Sequence, residues 1–91
     1  MDFEWDAAKA DSNLAKHGID FAEAMEVLSD PERVERPDAR SGGEPRVQVV
    51  GAAKGRILFV VYTMRGTACR IISIRKANRR ERKAYPVSSG N

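Results

Sequence analysis

The amino-acid sequence predicts an α+β domain of two layers, with helices packed on one face of an antiparallel sheet. Three observations lead there. Helical spacing and capping residues are confined to the first third of the chain and to a short basic stretch near its end. Between them lie three runs rich in β-branched and aromatic residues, separated by glycine-bearing turns. The middle run, Ile57 to Tyr62, is apolar at every position, which marks a central strand buried on both faces.

Each element has its own signal. Phe3-Glu4-Trp5 is a short N-terminal edge strand or a packed arm, bounded by Asp6. Asp6 is placed as the N-cap of a helix from about Ala7 to Lys16, and Gly18 as the left-handed residue that ends it. Asp20 caps a second helix, with Glu23 three residues on as in a capping box. Phe21, Ala24, Met25 and Leu28 then fall on one helical face, and Asp30-Pro31 ends the helix. Glu32 to Pro37 is a strand candidate despite poor alternation, and Asp38 to Gly43 is a polar loop. Strands are expected at Arg46 to Val50, Arg56 to Met64 and Cys69 to Arg75. Turns at Gly51 to Gly55 and Arg65-Gly66-Thr67 make them an antiparallel meander of three strands, or four with Glu32 to Pro37. Asn78 caps a last helix to about Tyr85, with Glu81 three residues later. Residues 1–85 are expected to form a single domain and residues 86–91 a frayed tail.

The bulk properties narrow the function classes. Hydrophobic residues make up 42% and charged residues 32% of the 91, a globular rather than a disordered balance. Cys69 is the one cysteine, so no internal disulfide forms, which suits a reducing compartment. The first six residues are acidic where a secretory signal is basic. The longest apolar run is far shorter than the roughly 20 residues a membrane span needs. A soluble cytoplasmic protein with no membrane association is the expectation. Charge is polarised along the chain: residues 1–35 carry ten acids against three bases, and residues 36–91 thirteen bases against three acids. Clustered cations gain by displacing counterions from phosphates, so the second half suits a polyanion. The plainer reading is a solvated surface whose two charge regions attract each other.

The residues also carry a family resemblance. Phe3-Glu4-Trp5-Asp6, Lys9, Asn13, Lys16-His17-Gly18, Phe21 and Ala24 resemble the opening of BrnT toxins. Glu44 and Arg46 stand where that family has its Glu-x-Arg pair. Arg70-Ile71-Ile72-Ser73-x-Arg75, followed by Glu81-Arg82 and Tyr85, is similar to its closing signature. Ile74 departs from the small residue common at that position, and the Ser41-Gly42-Gly43 loop is of variable type. The resemblance implies a RelE-like fold and a ribonuclease that arrests growth. It also implies a BrnA-type ribbon–helix–helix antitoxin that silences the toxin, and a joint complex that binds operator DNA.

Three chemistries compete. Metal-assisted hydrolysis fits poorly, because one histidine and one cysteine give no soft ligand set. Glu44 with Asp38 is the pair open to Mg²⁺, though nothing in the spacing demands it, and no cofactor is expected. Cys–His catalysis conflicts with the place of Cys69 in an apolar strand, which suits a core residue. Metal-free RNA cleavage fits best. There the RNA 2′-hydroxyl is the nucleophile, and the enzyme supplies a base, an acid and cations around the phosphorus. The candidate catalytic residues are Arg70, His17, Lys16, Glu44, Arg46, Arg75 and Tyr85. Arg79, Arg80, Arg82 and Lys83 on the last helix are candidates for holding the RNA backbone.

Each candidate has a structural alternative. Arg70 and Arg75 are five apart, so in a regular strand they point to opposite faces. Only a bulge lets both meet one phosphate. Glu44 and Arg46 share a face and either act together or pair with each other. His17 is a proton carrier or a helix-end histidine favourable to the macrodipole. Lys16 is a solvated lysine on the plain reading, Glu81 a capping acid, and Tyr85 a packing residue or a base-stacking one. Trp5 belongs to the core or to an antitoxin interface. Arg70 has no acid nearby in sequence to neutralise it. Beside the toxin ribonuclease stand two other functions: a non-catalytic nucleic-acid-binding or regulatory module, and a structural partner that docks through its acidic half.

Overall fold

A computed structural model describes residues 2–39 and 43–86. The centre of the expected loop, residues 40–42, and all but Pro86 of the expected tail lie outside the described residues. The elements run β1 (Asp2–Glu4), α1 (Ala7–His17), α2 (Glu23–Ser29), β2 (Val34–Pro37), β3 (Val47–Ala53), β4 (Arg56–Arg65), β5 (Ala68–Lys76) and α3 (Arg79–Ala84). They form the α+β class that the sequence predicts, but the sheet is mixed and α3 lies over the face opposite α1 and α2 rather than on the same one. The four strands β2 to β5 make the antiparallel meander, and β1 adds to β5 in parallel, giving the order β1-β5-β4-β3-β2.

The helix ends follow the local chemistry. The Asp6 carboxylate accepts from Lys9 N at 3.0 Å, and Gly18, at φ 68°, closes α1 with its N–H on the Leu14 carbonyl. Asp20 accepts from Ala22 N at 2.8 Å, and Glu23 accepts from Asp20 N at 3.1 Å. The first turn after Asp20 has i→i−3 bonds, so α-helix proper begins only at Glu23. Glu23 is buried, and Arg56 Nη2 donates to its other oxygen at 2.6 Å. A buried carboxylate is tolerable when paired and hydrogen-bonded in this way, and here it ties α2 to the start of β4.

Central β4 buries both of its faces. Leu58 and Val60 pack with Ile71 and Ile74 under Phe21, Ala24 and Val27 on the helix side. Trp5 is half-buried there, edge-on to Phe21 at 6.4 Å between ring centroids. Phe59 and Val61 face the other way, with Val50, Ile72 and Tyr85. Cys69 is a buried core residue.

The β3–β4 turn is tighter than the expected Gly51 to Gly55. Lys54 and Gly55 both have positive φ, 51° and 76°, and form the two-residue connection alone. Such a turn carries the right-handed twist of its strands, and β3 therefore continues through Ala53. Gly51 is a buried strand residue. A Cβ there would sit 3.0 Å from Val27 Cγ1, 3.1 Å from the Val27 carbonyl and 3.3 Å from Arg33 Cβ. Its glycine lets α2 lie against β3. Gly51→Val should cost about 1–3 kcal/mol by overpacking, read as a lower urea midpoint; an unchanged midpoint would mean that α2 moves aside freely.

Candidate functional site

The second face of the sheet, away from α1 and α2, is built by register. Residues directly opposite in an antiparallel pair share a face. Arg75 opposes Phe59, Ser73 opposes Val61 and Arg70 opposes Thr63. Phe59, Val61 and Thr63 alternate along β4 and share one face, so Arg70, Ser73 and Arg75 share it too. The odd spacing is absorbed at Ile72: Val61 pairs with Ser73 but Tyr62 with Ile71, leaving Ile72 as an extra residue. This is the bulge that the five-residue spacing requires. Across the sheet, Arg36 opposes Gln48, which opposes Val61, and so joins the same face. Arg70 and Arg75 lie four residues apart in β4 register, roughly 13 Å along the strand.

Each arginine has a partner. Arg70, without an acid nearby in sequence, meets Glu4 at 3.1 Å across the parallel β1–β5 pair. Both groups are partly exposed, so this pair is worth no more than about 1 kcal/mol. Arg75 donates both Nη groups to Glu81 at 2.9 Å and lies over the Phe59 ring, 4.1 Å from its centroid. Glu81 also completes a full capping box with Asn78, as the capping reading expects. Burial pushes the Glu81 carboxyl up, but the bonds from Arg75 and Asn78 N–H and the charges of Arg75 and Arg36 outweigh it, holding it below its ordinary 4.5.

A cleft of about 440 Å³ lies between α3 and this face, with Arg36, Gln48, Arg80 and Glu81 around an apolar floor of Val50 and Phe59. Of the α3 cations, Arg80 lines the cleft, Arg79 and Lys83 are exposed, and Arg82 turns back onto the Ala77 carbonyl at 2.9 Å. Lys16 and His17 end α1, where cations suit the helix dipole. They share a shallow depression of about 280 Å³ with Ile72, the bulge residue, beside β5.

Other candidates lie apart. Glu44 pairs with Arg65 at 3.2 Å and not with Arg46. Arg46 is half-buried just before β3, its carbonyl accepting from Asp38 N. Tyr85 donates to Asp30 Oδ2 and fastens the end of α3 to the end of α2. That bond, with burial and the Asp30 and Glu32 charges, pushes the phenol up to about 12, far from a value useful for proton transfer at neutral pH. Burial raises Asp30, but bonds from Tyr85 and from the N–H groups of Glu32 and Ala52, with the Arg33 charge, outweigh it and hold the carboxyl below its ordinary 3.8. Among the described residues no three His, Cys, Asp or Glu side chains converge as a metal-binding group, and no helix is long and apolar enough to cross a membrane. Sequence reasoning missed Arg36, Gln48, Glu4 and Ser73. Only the strand pairing brings them to this face.

An open sheet face lined with arginines under a short basic helix belongs to a small domain of the α+β class. Residues 5–81 match the family model for the ribonuclease toxin BrnT of type II toxin–antitoxin systems, and the chain belongs to that family. No curated protein matches it significantly.

The ionised network sets two stability limbs. Asp30 and Glu81 titrate below their unfolded values, so their contribution is complete above about pH 4.5 and is lost as pH falls through the lowered ones. Tyr85 is raised, so its contribution is complete below its ordinary 10 and is lost as pH climbs through about 12. Tyr85→Phe should cost about 1–2 kcal/mol at neutral pH and shrink the alkaline limb in urea melts. An alkaline limb unchanged in Tyr85→Phe would contradict the Tyr85–Asp30 bond.

Proposed function

We propose that the chain is an endoribonuclease that cuts RNA without a metal ion and arrests growth by doing so. The 2′-hydroxyl attacks its own 3′-phosphate, the 2′-oxygen–phosphorus bond forms, and the bond to the 5′ oxygen breaks. One side chain takes the 2′ proton and another returns a proton to the leaving oxygen. The observation that carries this reading is the arginine face. The Ile72 bulge turns Arg70 and Arg75 to the same side as Arg36, where planar guanidinium forks match phosphate oxygens. In this reading one of Arg70 and Arg75, roughly 13 Å apart along the strand, stabilises charge at phosphorus and the other grips a phosphate further along, while His17 or Lys16 reaches the site past Ile72 and carries protons. Arg46 and Glu44 flank the RNA path. Tyr85 serves the fold, because its hydroxyl is committed to Asp30. Arg79, Arg80 and Lys83 hold the strand.

The site belongs to a single RelE-like domain acting in the cytoplasm. A BrnA-type ribbon–helix–helix antitoxin silences it, and the complex binds operator DNA. Family membership supports an antitoxin, and the exposed cations of α3 offer an acidic segment a surface to cover. One observation favours a second reading. Arg70 and Arg75 already have carboxylate partners in Glu4 and Glu81, as in a scaffold that binds RNA without cutting it.

One assay separates these readings. Purified protein in excess EDTA should cut single-stranded RNA and leave 2′,3′-cyclic phosphate or 3′-phosphate ends. Arg70→Ala should lower turnover by about 10²–10³ while RNA binding changes little. Activity lost in chelator and restored by Mg²⁺ would return attention to Asp38 and Glu44. Wild-type protein that binds RNA and never cuts it would establish the scaffold reading. His17→Ala should slow cleavage and alter the pH–rate profile; an unaltered profile leaves His17 as a helix-end residue.

A further inference from the structure

The cleft under α3 holds more than backbone contacts require. Phosphate and ribose are polar, and a surface that only grips them gains nothing from an apolar floor. Here Val34, Val50 and Phe59 form that floor, in a volume of about 440 Å³, within the roughly 300–1,000 Å³ typical of small-ligand sites. The polar rim is rich in donors. Arg36 spends Nε on Gln48 Oε1 at 3.2 Å. Among the described residues its two terminal amino groups have no hydrogen-bond partner, nor does the Gln48 amide nitrogen. Glu81 offers little as an acceptor, because Arg75 and the Asn78 N–H already occupy both its oxygens.

We propose that this cleft holds one unstacked nucleotide of RNA and selects guanine as its base. The proposal rests on the ribonuclease reading for its ligand class and adds the base preference and the residues that set it. The base lies against Val34 and Val50, next to Phe59, over whose ring Arg75 already lies. Guanine presents O6 and N7 as adjacent acceptors, which an arginine fork meets with two bonds. Adenine and cytosine each bring an amino donor to a wall of donors, and uracil offers a single carbonyl on that edge. Gln48 fixes the Arg36 fork through Nε, and Arg80 faces the phosphate across the cleft. RNA-binding domains commonly read single strands through such splayed bases.

Titration of the purified chain with 3′-GMP, 3′-AMP, 3′-CMP, 3′-UMP and inorganic phosphate, followed by amide chemical shifts, tests this. The expected result is 3′-GMP binding about tenfold or more tighter than the others, the scale of one bidentate base contact, with the largest shifts at Val50 and Ala84. Arg36→Lys keeps the charge but loses the fork, and should bring the four nucleotides within about twofold of each other. Ala84→Trp, at an exposed helix position on the cleft, should fill the space and abolish 3′-GMP binding. Equal affinity for all four nucleotides would overturn the proposal, as would 3′-GMP binding that survives Ala84→Trp. So would inorganic phosphate matching 3′-GMP in affinity and shifts. Binding needs no turnover, so a guanine preference in a chain that cuts no RNA sustains the cleft and overturns only the ribonuclease reading. Cleavage without base preference does the reverse.

Discussion

One extra residue in β5 decides the chemistry of this surface. Ile72 stands outside the pairing with β4, and by doing so it changes the face of every residue on one side of it. Were Ile72 paired in regular alternation, Arg70 would fall on the helix side when Arg75 faces the cleft, or the reverse. Arg70 would then lie beside Ile74 under Phe21, or Arg75 beside Ile71, in an environment that no unpaired guanidinium tolerates. The bulge satisfies both demands at once. Cys69, Ile71 and Ile74 keep the helix-side core closed, while Arg70, Ser73 and Arg75 line the other face. Bulges recur beside active sites for this reason, since they re-aim side chains without ending a strand.

The arginines on this face are held in place by carboxylates of quite different strength. Glu81 grips Arg75 with two bonds, is capped into α3 and is largely shielded, so this contact sets the position of both the helix and the guanidinium. Phe59 beneath completes a stack of ring, cation and acid. Glu4 holds Arg70 through one contact at an exposed edge, which a phosphate can replace at small cost. The polarised charge along the chain is thus partly spent within the fold, where Glu4 and Glu23 from the acidic half meet Arg70 and Arg56 from the basic half. The acids neutralise the strand arginines, and Arg79, Arg80 and Lys83 on α3 have no acidic partner among the described residues.

Elements with local signals were legible in the sequence. Asp6 and Gly18 mark both ends of α1, Asn78 and Glu81 mark α3, and the apolar run at Ile57 to Tyr62 marks the central strand. Pairings that depend on distant residues were not. β1 joins β5 in parallel across the length of the chain, so the Glu4–Arg70 contact leaves no trace in local spacing. The β3–β4 turn looked longer because Gly51 resembles a turn residue, whereas its glycine answers to Val27 across the layer. The family resemblance drew on spaced motifs and agrees with the family to which the chain belongs. The site itself was half legible. Its arginines were singled out, and the alternation rule stated that they needed a bulge, but nothing in the sequence placed that bulge at Ile72 or added Arg36 to the face.

Ser73 lies in β5 between Arg70 and Arg75 on the proposed path of the RNA, half-buried. The cleavage rate of Ser73→Asp on single-stranded RNA, in protein whose thermal melt matches the wild type, tests most directly whether the bulged face is where RNA is cut. A carboxylate there should repel the phosphate and lower the rate by about tenfold or more, equivalent to at least ~1.4 kcal/mol. A rate equal to that of the wild type would contradict the central claim and move the RNA to another surface.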